Sequence, residues 1–264
     1  MADATFADLF GSDILLHYDA SDAASLFTDT GGTTPAADGN EVKCITPQSD
    51  ASLQVNLTNA NGPTYRANYA SSGYAALQFD GVNDALVQAT TGLASTRFFV
   101  VAAFTPISTV GTIWNRGATV ANMCRLYWNG TSSYIFQSLG GTNDVNASAT
   151  LVSGKIVASC VIGSGQTEID VLGPSFGVQN HTISASIAQN FNLGVSNFSG
   201  FTQYGNFAFH ELLLIAGTCE WGQVVRASKI LRNKWGIADP NALPQKAGGT
   251  SGFTGLSGVG RLGT

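Results

Sequence analysis

The sequence predicts an all-β protein, a two-sheet antiparallel sandwich carrying one C-terminal helix. Three observations lead there. Short apolar or alternating runs are separated by turn residues every eight to fifteen positions, the rhythm of antiparallel sheets and not of βαβ units. Only 11% of residues are charged, while 44% are hydrophobic and 31 are glycine. That balance is poor in helix formers and rich in strand and turn residues. One segment alone, near the C-terminus, shows apolar residues at helical spacing between a start and a stop signal.

The elements follow in order. Residues 1–12 read as an N-terminal arm or short helix with Phe6, Leu9 and Phe10 on one side. Ile14–Tyr18 reads as a strand. Residues 21–63 are loop-rich, punctuated by Gly31, Gly32, Pro35, Asp38-Gly39 and Asn61-Gly62-Pro63, with short strands near Val42–Ile45 and Leu53–Leu57. Ala75–Phe79 and Ala85–Gln88 flank Asp80-Gly81-Val82-Asn83, which predicts a hairpin. Arg97–Thr105 is nearly all apolar, as a strand buried on both faces is. Further strands are predicted at Thr112–Asn115, Cys124–Trp128, Tyr134–Gln137, Lys155–Ile162, Thr167–Val171, His181–Ile187, Phe191–Val195 and Phe207–Ala216.

The helix is predicted over Cys219–Lys234. Thr218 is its N-cap and Glu220 lies in its first turn, where the dipole favours an acid. Trp221, Val224, Leu231 and Trp235 recur along one face, and Gly236 is the C′ stop. Beyond it Pro240 and Pro244 mark a linker. Residues 247–264 then hold seven glycines among Phe253, Leu256, Val259, Arg261 and Leu262, a composition that does not fold alone. The chain thus divides into an arm (1–12), a folded domain (13–237) and a Pro/Gly-rich tail (238–264).

Composition excludes several functions. The formal net charge is −5, and no Lys/Arg cluster offers a nucleic-acid surface. No apolar run is long enough to span a membrane. The first residues carry acids where a signal peptide carries bases, so export through a conventional signal is not expected. Cys44, Cys124, Cys160 and Cys219 form no C-x-x-C pair and read as buried free thiols. His17, His181 and His210 lack metal-ligand spacing. His210 and Glu211 are neighbours on a strand, which sends them to opposite faces. Gly258-Val-Gly260-Arg-Leu-Gly263 matches a dinucleotide fingerprint but has no following helix to complete one. Asp80, Asn83 and Asp84 offer oxygens without the spacing of a calcium loop. No cofactor or metal site is predicted. Trp114, Tyr127 and Trp128 set stacking faces beside amides, the mixture a carbohydrate site uses, although alternation places Tyr127 and Trp128 on opposite faces.

Several segments carry a family resemblance by their order. They are Tyr18-Asp-Ala-Ser-Asp22, Asp38-Gly-Asn-Glu-Val42, Pro63-Thr-Tyr-Arg-Ala-Asn68, Ala76-Leu-Gln-Phe-Asp-Gly-Val-Asn-Asp-Ala-Leu86, Phe207–Ile215 and the helix closing on Lys234-Trp-Gly-Ile237. Over residues 13–237 the chain resembles the concanavalin A-like lectin/glucanase superfamily in its LamG/pentraxin-like form. The resemblance implies a jelly roll in which Asp80 and Gly81 shape a turn. It departs from that pattern at Val42-Lys-Cys44 and Ser49–Ser52, where relatives show Trp followed by D-x-S-G. Glucanases of the superfamily carry E-x-D-x-x-E. Here Glu168 and Asp170 are followed by Gly173, which cannot donate a proton, so no catalytic residue and no enzyme activity are expected.

Domains of this form are common in phage virions and bacterial surface proteins. With the low charge and the two terminal extensions, the resemblance implies a non-enzymatic phage virion protein. Its specific form is a capsid decoration (cement) protein, homo-oligomeric and docked on the major capsid protein or other virion subunits through its N-terminal arm and C-terminal tail. The tail residues Phe253, Leu256, Val259, Arg261 and Leu262 would supply the partner contacts. The alternative is a lectin-like adhesion module of a tail, fibre or cell surface that binds carbohydrate through Trp114, Tyr127 and Trp128.

Overall fold

The computed structural model describes residues 5–54, 56–88, 98–108, 110–116, 123–129, 134–139, 156–163, 166–171, 177–179, 191–198, 201–216 and 221–237. It is all-β apart from two α-helices and short 3-10 turns among those residues. The strands in chain order are β1 (Ile14–Asp19), β2 (Leu26–Phe27), β3 (Cys44–Ile45), β4 (Leu57–Thr58), β5 (Thr64–Arg66), β6 (Ala76–Asp80), β7 (Leu86–Gln88), β8 (Phe98–Pro106) and β9 (Val110–Arg116). They continue with β10 (Met123–Asn129), β11 (Tyr134–Leu139), β12 (Ile156–Gly163), β13 (Gln166–Val171), β14 (Gly177–Gln179), β15 (Phe191–Leu193), β16 (Val195–Phe198), β17 (Phe201–Tyr204) and β18 (Asn206–Ala216). Helix α1 covers Phe6–Phe10 and α2 covers Trp221–Lys234.

The first sheet runs β14-β13-β12-β8-β18-β6-β5, with β1 paired to β18 beside β6; the second runs β11-β10-β9-β15-β7-β4-β3-β2. A third pair, β16-β17, forms a separate hairpin. Leu16, Leu77, Val100, Phe104 and Leu212 from the first sheet meet Leu26, Ile45, Leu57, Leu86 and Trp114 from the second in one buried core. The outer face of the first sheet carries a second core. There Phe99, Val101, Ala103, Leu213 and Ile215 meet Phe6 and Phe10 of α1 and Ala227 and Leu231 of α2.

Strand β8 has the two buried faces that its unbroken apolar text predicts. Phe98, Val100, Ala102 and Phe104 point into the main core, while Phe99, Val101 and Ala103 point under the helices. The alternation is that of any pleated strand, and both layers need hydrocarbon. The N-terminal arm is not free. Its Phe6 and Phe10 are buried, and the Gln223 side-chain amide of α2 donates to the Leu9 carbonyl at 2.8 Å. Thr5 and Asp8 close a reciprocal capping box at its start.

The predicted hairpin over residues 75–88 does not form. Asp80 does make a turn: its Oδ1 accepts the Val82 amide at 2.7 Å and the Asn83 amide at 3.3 Å, with Gly81 at φ +80°. But β6 lies in the first sheet and β7 in the second. Both edges of β6 are taken, one by β18 and one by β5, so the chain leaving the turn crosses the core to the other sheet. Asp84, whose Oδ2 accepts the Asp80 amide at 2.8 Å, is raised by burial, with the Asp80 and Glu41 charges adding, to a pKa of about 6.

Helix α2 ends as predicted at Gly236, which adopts φ +62°. The Ile237 amide donates to the Arg232 carbonyl and the Gly236 amide to the Asn233 carbonyl, the two bonds of a Schellman stop. The predicted cap residues Thr218 and Glu220, the strand over His181–Ile187 and the tail 238–264 lie outside the described residues.

Candidate functional site

A cluster of paired ionisable groups lies on the outer face of the first sheet, beneath the C-terminal end of α2. Strand β1 alternates, so Leu16 and Tyr18 enter the main core while His17 and Asp19 face outward. Strand β18 contributes Glu211 through an irregularity. Before residue 210 its inward residues are Phe207 and Phe209; after it they are Leu212 and Leu214. The pairing with β8 slips between Phe209 and Glu211, so His210 is the extra residue of a β-bulge.

The bulge sits where β6 ends and β1 begins along one edge of β18. It overturns the expectation that His210 and Glu211 face opposite ways. Both reach Trp235: the His210 ring lies 4.9 Å from the indole, and the indole Nε1 donates to Glu211 Oε2 at 2.7 Å. Strand alternation fails at a bulge, and nothing in residues 207–212 marks one.

His17 is held between two carboxylates. Its Nδ1 meets Asp50 Oδ1 at 2.8 Å and its Nε2 meets Glu211 Oε1 at 2.9 Å. Lys234 completes the cluster, donating from Nζ to Glu211 Oε2 at 2.7 Å and to Asp19 Oδ2 at 2.5 Å. The Asp19 Oδ1 atom is occupied separately, by the Ser21 amide at 2.8 Å and the Ser21 hydroxyl at 2.6 Å. Glu211 is fully buried, and the His17 and Asp19 side chains are only 9% and 11% exposed.

Burial opposes charge at His17, Asp50 and Lys234, and their partners overcome it. Desolvation pushes His17 down, but the bonds from Asp50 and Glu211 and their charges raise it to about 9. Burial pushes Asp50 up, yet the His17 bond and charge hold it below the ordinary carboxylate value. For Lys234 the Glu211 and Asp19 charges outweigh desolvation, so its pKa is raised. At neutral pH His17 and Lys234 are therefore held as cations, and Asp50 as an anion, inside the cluster. Removing one partner of such a buried pair strands a charge, at a cost of about 3–5 kcal/mol.

His210 is a satisfied core histidine. Its Nδ1 donates to the Ala75 carbonyl at 2.9 Å, which leaves Nε2 to accept from the Thr105 hydroxyl at 2.9 Å. Cys44 is a buried free thiol, raised to about 11 by burial, with the Asp29 charge adding.

Two of the three predicted carbohydrate residues, Trp114 and Tyr127, are buried. Trp114 is fully buried, stacked 6.0 Å from Phe191 in the main core. Tyr127 is 8% exposed, and its ring is covered by the Arg125 guanidinium at 3.9 Å. Both follow from what lies around them: Trp114 is paired with Leu126 and Leu193 on the core side, and the hairpin β16-β17 reaches Arg125 through Ser196 and Gln203. The Trp128 side chain, Glu168, Asp170 and the tail residues Phe253, Leu256, Val259, Arg261 and Leu262 have no described side-chain surroundings. Among the described residues no cluster of three or more His, Cys, Asp or Glu is arranged to hold a metal ion, and no helix is long and apolar enough to cross a membrane.

No family model and no curated protein matches the chain. Solved structures do. Domain 4 of AbnA, a GH43 extracellular arabinanase from Geobacillus stearothermophilus, in complex with arabinotriose, is similar with a TM-score of 0.53 and 14% identity, over 82% of this chain and 98% of that one. Trypanosoma rangeli sialidase in complex with sialic acid is similar with a TM-score of 0.58 and 14% identity, over 89% of this chain and 34% of that one. An arabinofuranosidase complexed with arabinofuranosyl-α-1,2-xylobiose gives 0.61 and 10%, over 90% and 65%. The likeness is one of all-β fold. The chain spans nearly all of the arabinanase domain but about a third of the sialidase.

Proposed function

We propose that the chain is a non-enzymatic virion structural protein of concanavalin A-like jelly-roll fold. Its specific role is that of a capsid decoration protein, docked on the major capsid protein or neighbouring virion subunits through its C-terminal segment. The observation that carries the reading is the fastening of α2. Lys234 and Trp235, a few residues before the tail, are tied to Asp19 and Glu211 in the body of the first sheet. A segment that transmits load to a partner needs such a fixed root. The engagement of both ring nitrogens of His17 and of His210 by protein groups supports a structural use of these residues over acid–base work. Binding to the assembled shell and not to its free parts would stabilise the shell by mass action.

The experiment is binding of the purified chain to assembled, undecorated heads, with and without residues 238–264. The reading expects the full chain to bind and raise the heat resistance of the heads, and the truncated chain to do neither. Equal binding by both forms, or by neither, overturns it.

A second reading is favoured by one comparison: the arabinanase domain that this chain covers almost completely is in complex with arabinotriose. On that reading the domain is a carbohydrate-binding module. Calorimetric titration with arabino-oligosaccharides tests it; saturable heat that survives removal of the tail, with no binding to heads, would make it the better account.

A further inference from the structure

The contact of Lys234 with Asp19 has more parts than an ion pair needs. The amine touches two buried carboxylates at once, Asp19 Oδ2 at 2.5 Å and Glu211 Oε2 at 2.7 Å. The carboxylate at its tip is polarised: two donors from Ser21, at 2.8 Å and 2.6 Å, are aimed at Asp19 Oδ1, the oxygen not in contact with the amine. A nucleophile, a carboxyl carbon with a donor pair on its second oxygen, and a second carboxylate within reach of the nucleophile's protons are the components of acyl transfer. The Trp235 ring lies 5.1 Å from the amine and its Nε1 holds Glu211 in place. His17 fixes the other Glu211 oxygen.

We propose that Lys234 and Asp19 condense to an intramolecular isopeptide bond, with Glu211 as the proton carrier. The step balances without a co-reactant. Nζ gives one proton to Glu211 Oε2, which passes it to Asp19 Oδ2, leaving a neutral amine beside a neutral carboxylic acid. Nζ attacks Asp19 Cγ, and the negative charge develops on Oδ1 between the two Ser21 donors. Glu211 takes a second proton from the nitrogen and returns it to Oδ2. The Cγ–Oδ2 bond breaks, Oδ2 leaves as water, and the Nζ–Cγ amide remains.

The ion pair is the resting state, since Asp19 and Glu211 keep the amine charged, so the first proton transfer slows the reaction. Each molecule needs only one turnover, and slow condensation suffices. The product ties the first strand to the end of the last helix, across 215 positions of sequence, and fixes the root of the tail covalently. Ser21 and His17 are positioning residues; Lys234, Asp19 and Glu211 take part in the chemistry.

The full-length protein, folded and aged at neutral pH, is denatured and its mass measured, then digested and sequenced by mass spectrometry. The proposal expects a chain lighter by one water and a branched peptide joining the segment that holds Asp19 to the segment that holds Lys234. In Lys234→Arg the branch should be lost. In Glu211→Gln, with folding confirmed by circular dichroism, it should also be lost. A wild-type chain of full mass after prolonged ageing overturns the proposal. So does a water lost elsewhere, such as a succinimide at Asp80-Gly81, or a branch at Glu211 instead of Asp19. Branching that persists in Glu211→Gln overturns the role of Glu211. None of these outcomes depends on whether heads are bound.

Discussion

His17 has the most to say at the scale of a single residue, because its charge is paired on both sides and buried. The sign of its pH dependence follows from linkage. The folded pKa, about 9, lies above the ordinary 6.5, so the folded state holds the proton more tightly. The stabilisation is fully present below pH 6.5 and is lost as pH rises through 9. At about 1.4 kcal/mol per pKa unit the shift corresponds to about 3 kcal/mol. Chemical denaturation in urea at pH 6 and pH 10 should show a loss of that order in the wild type. His17→Gln should be less stable at pH 6 and flatter between the two values. An unchanged slope in the variant would assign the pH dependence to other groups. The same residue shows what a sequence hides: nothing near position 17 announces partners at 50 and 211, because a buried ion pair is made by topology and leaves no local pattern.

Single elements were legible where their burial is uniform. The apolar run at β8 announced two covered faces, and Gly236 announced the end of α2, because each depends on residues within one element. The hairpin over residues 75–88 was misread because the turn chemistry at Asp80-Gly81 was right while the destination of the chain was not. Strand partners are chosen by free edges, and β6 has none. Trp114 looked like a stacking face because an aromatic beside an asparagine reads alike in a core and in a groove; only its pairing with Leu126 and Leu193 decides. The His210 bulge is a third such case. Helix α2 offers an internal control on these burial arguments. Leu231 is fully buried under its inner face and Val225 is 41% exposed on its outer one. Leu231→Ala should cost about 3 kcal/mol, and Val225→Ser should stay within about 0.5 kcal/mol, both read from urea midpoints. Equal costs would mean that α2 does not sit on the sheet as described.

For the whole molecule, the two ends of the chain are different objects, although their sequences both look like extensions. The N-terminal arm is part of the fold. Phe6 and Phe10 cover the outer face of the first sheet beside Phe99, Leu213 and α2, and the Phe6 ring meets the His17 ring edge-on at 5.5 Å. Removing residues 1–12 therefore opens the second core and uncovers the charged cluster. Two buried phenylalanines are worth about 2 kcal/mol each. At about 3 °C per kcal/mol for a domain of this size, the melting temperature should fall by roughly 10 °C. The other end behaves differently. The outer core closes at Trp235 with Ile237 packed beside it, and both bonds of the helix stop are made by Gly236 and Ile237. Removing residues 238–264 should leave the melting temperature within about 2 °C of the full chain. Scanning calorimetry of the two truncated forms against the full chain decides between this asymmetry and the symmetric picture of two free arms. A large loss from the C-terminal truncation would mean that the tail is a structural element of its own domain, and the case for tail-mediated docking would then lose its physical basis.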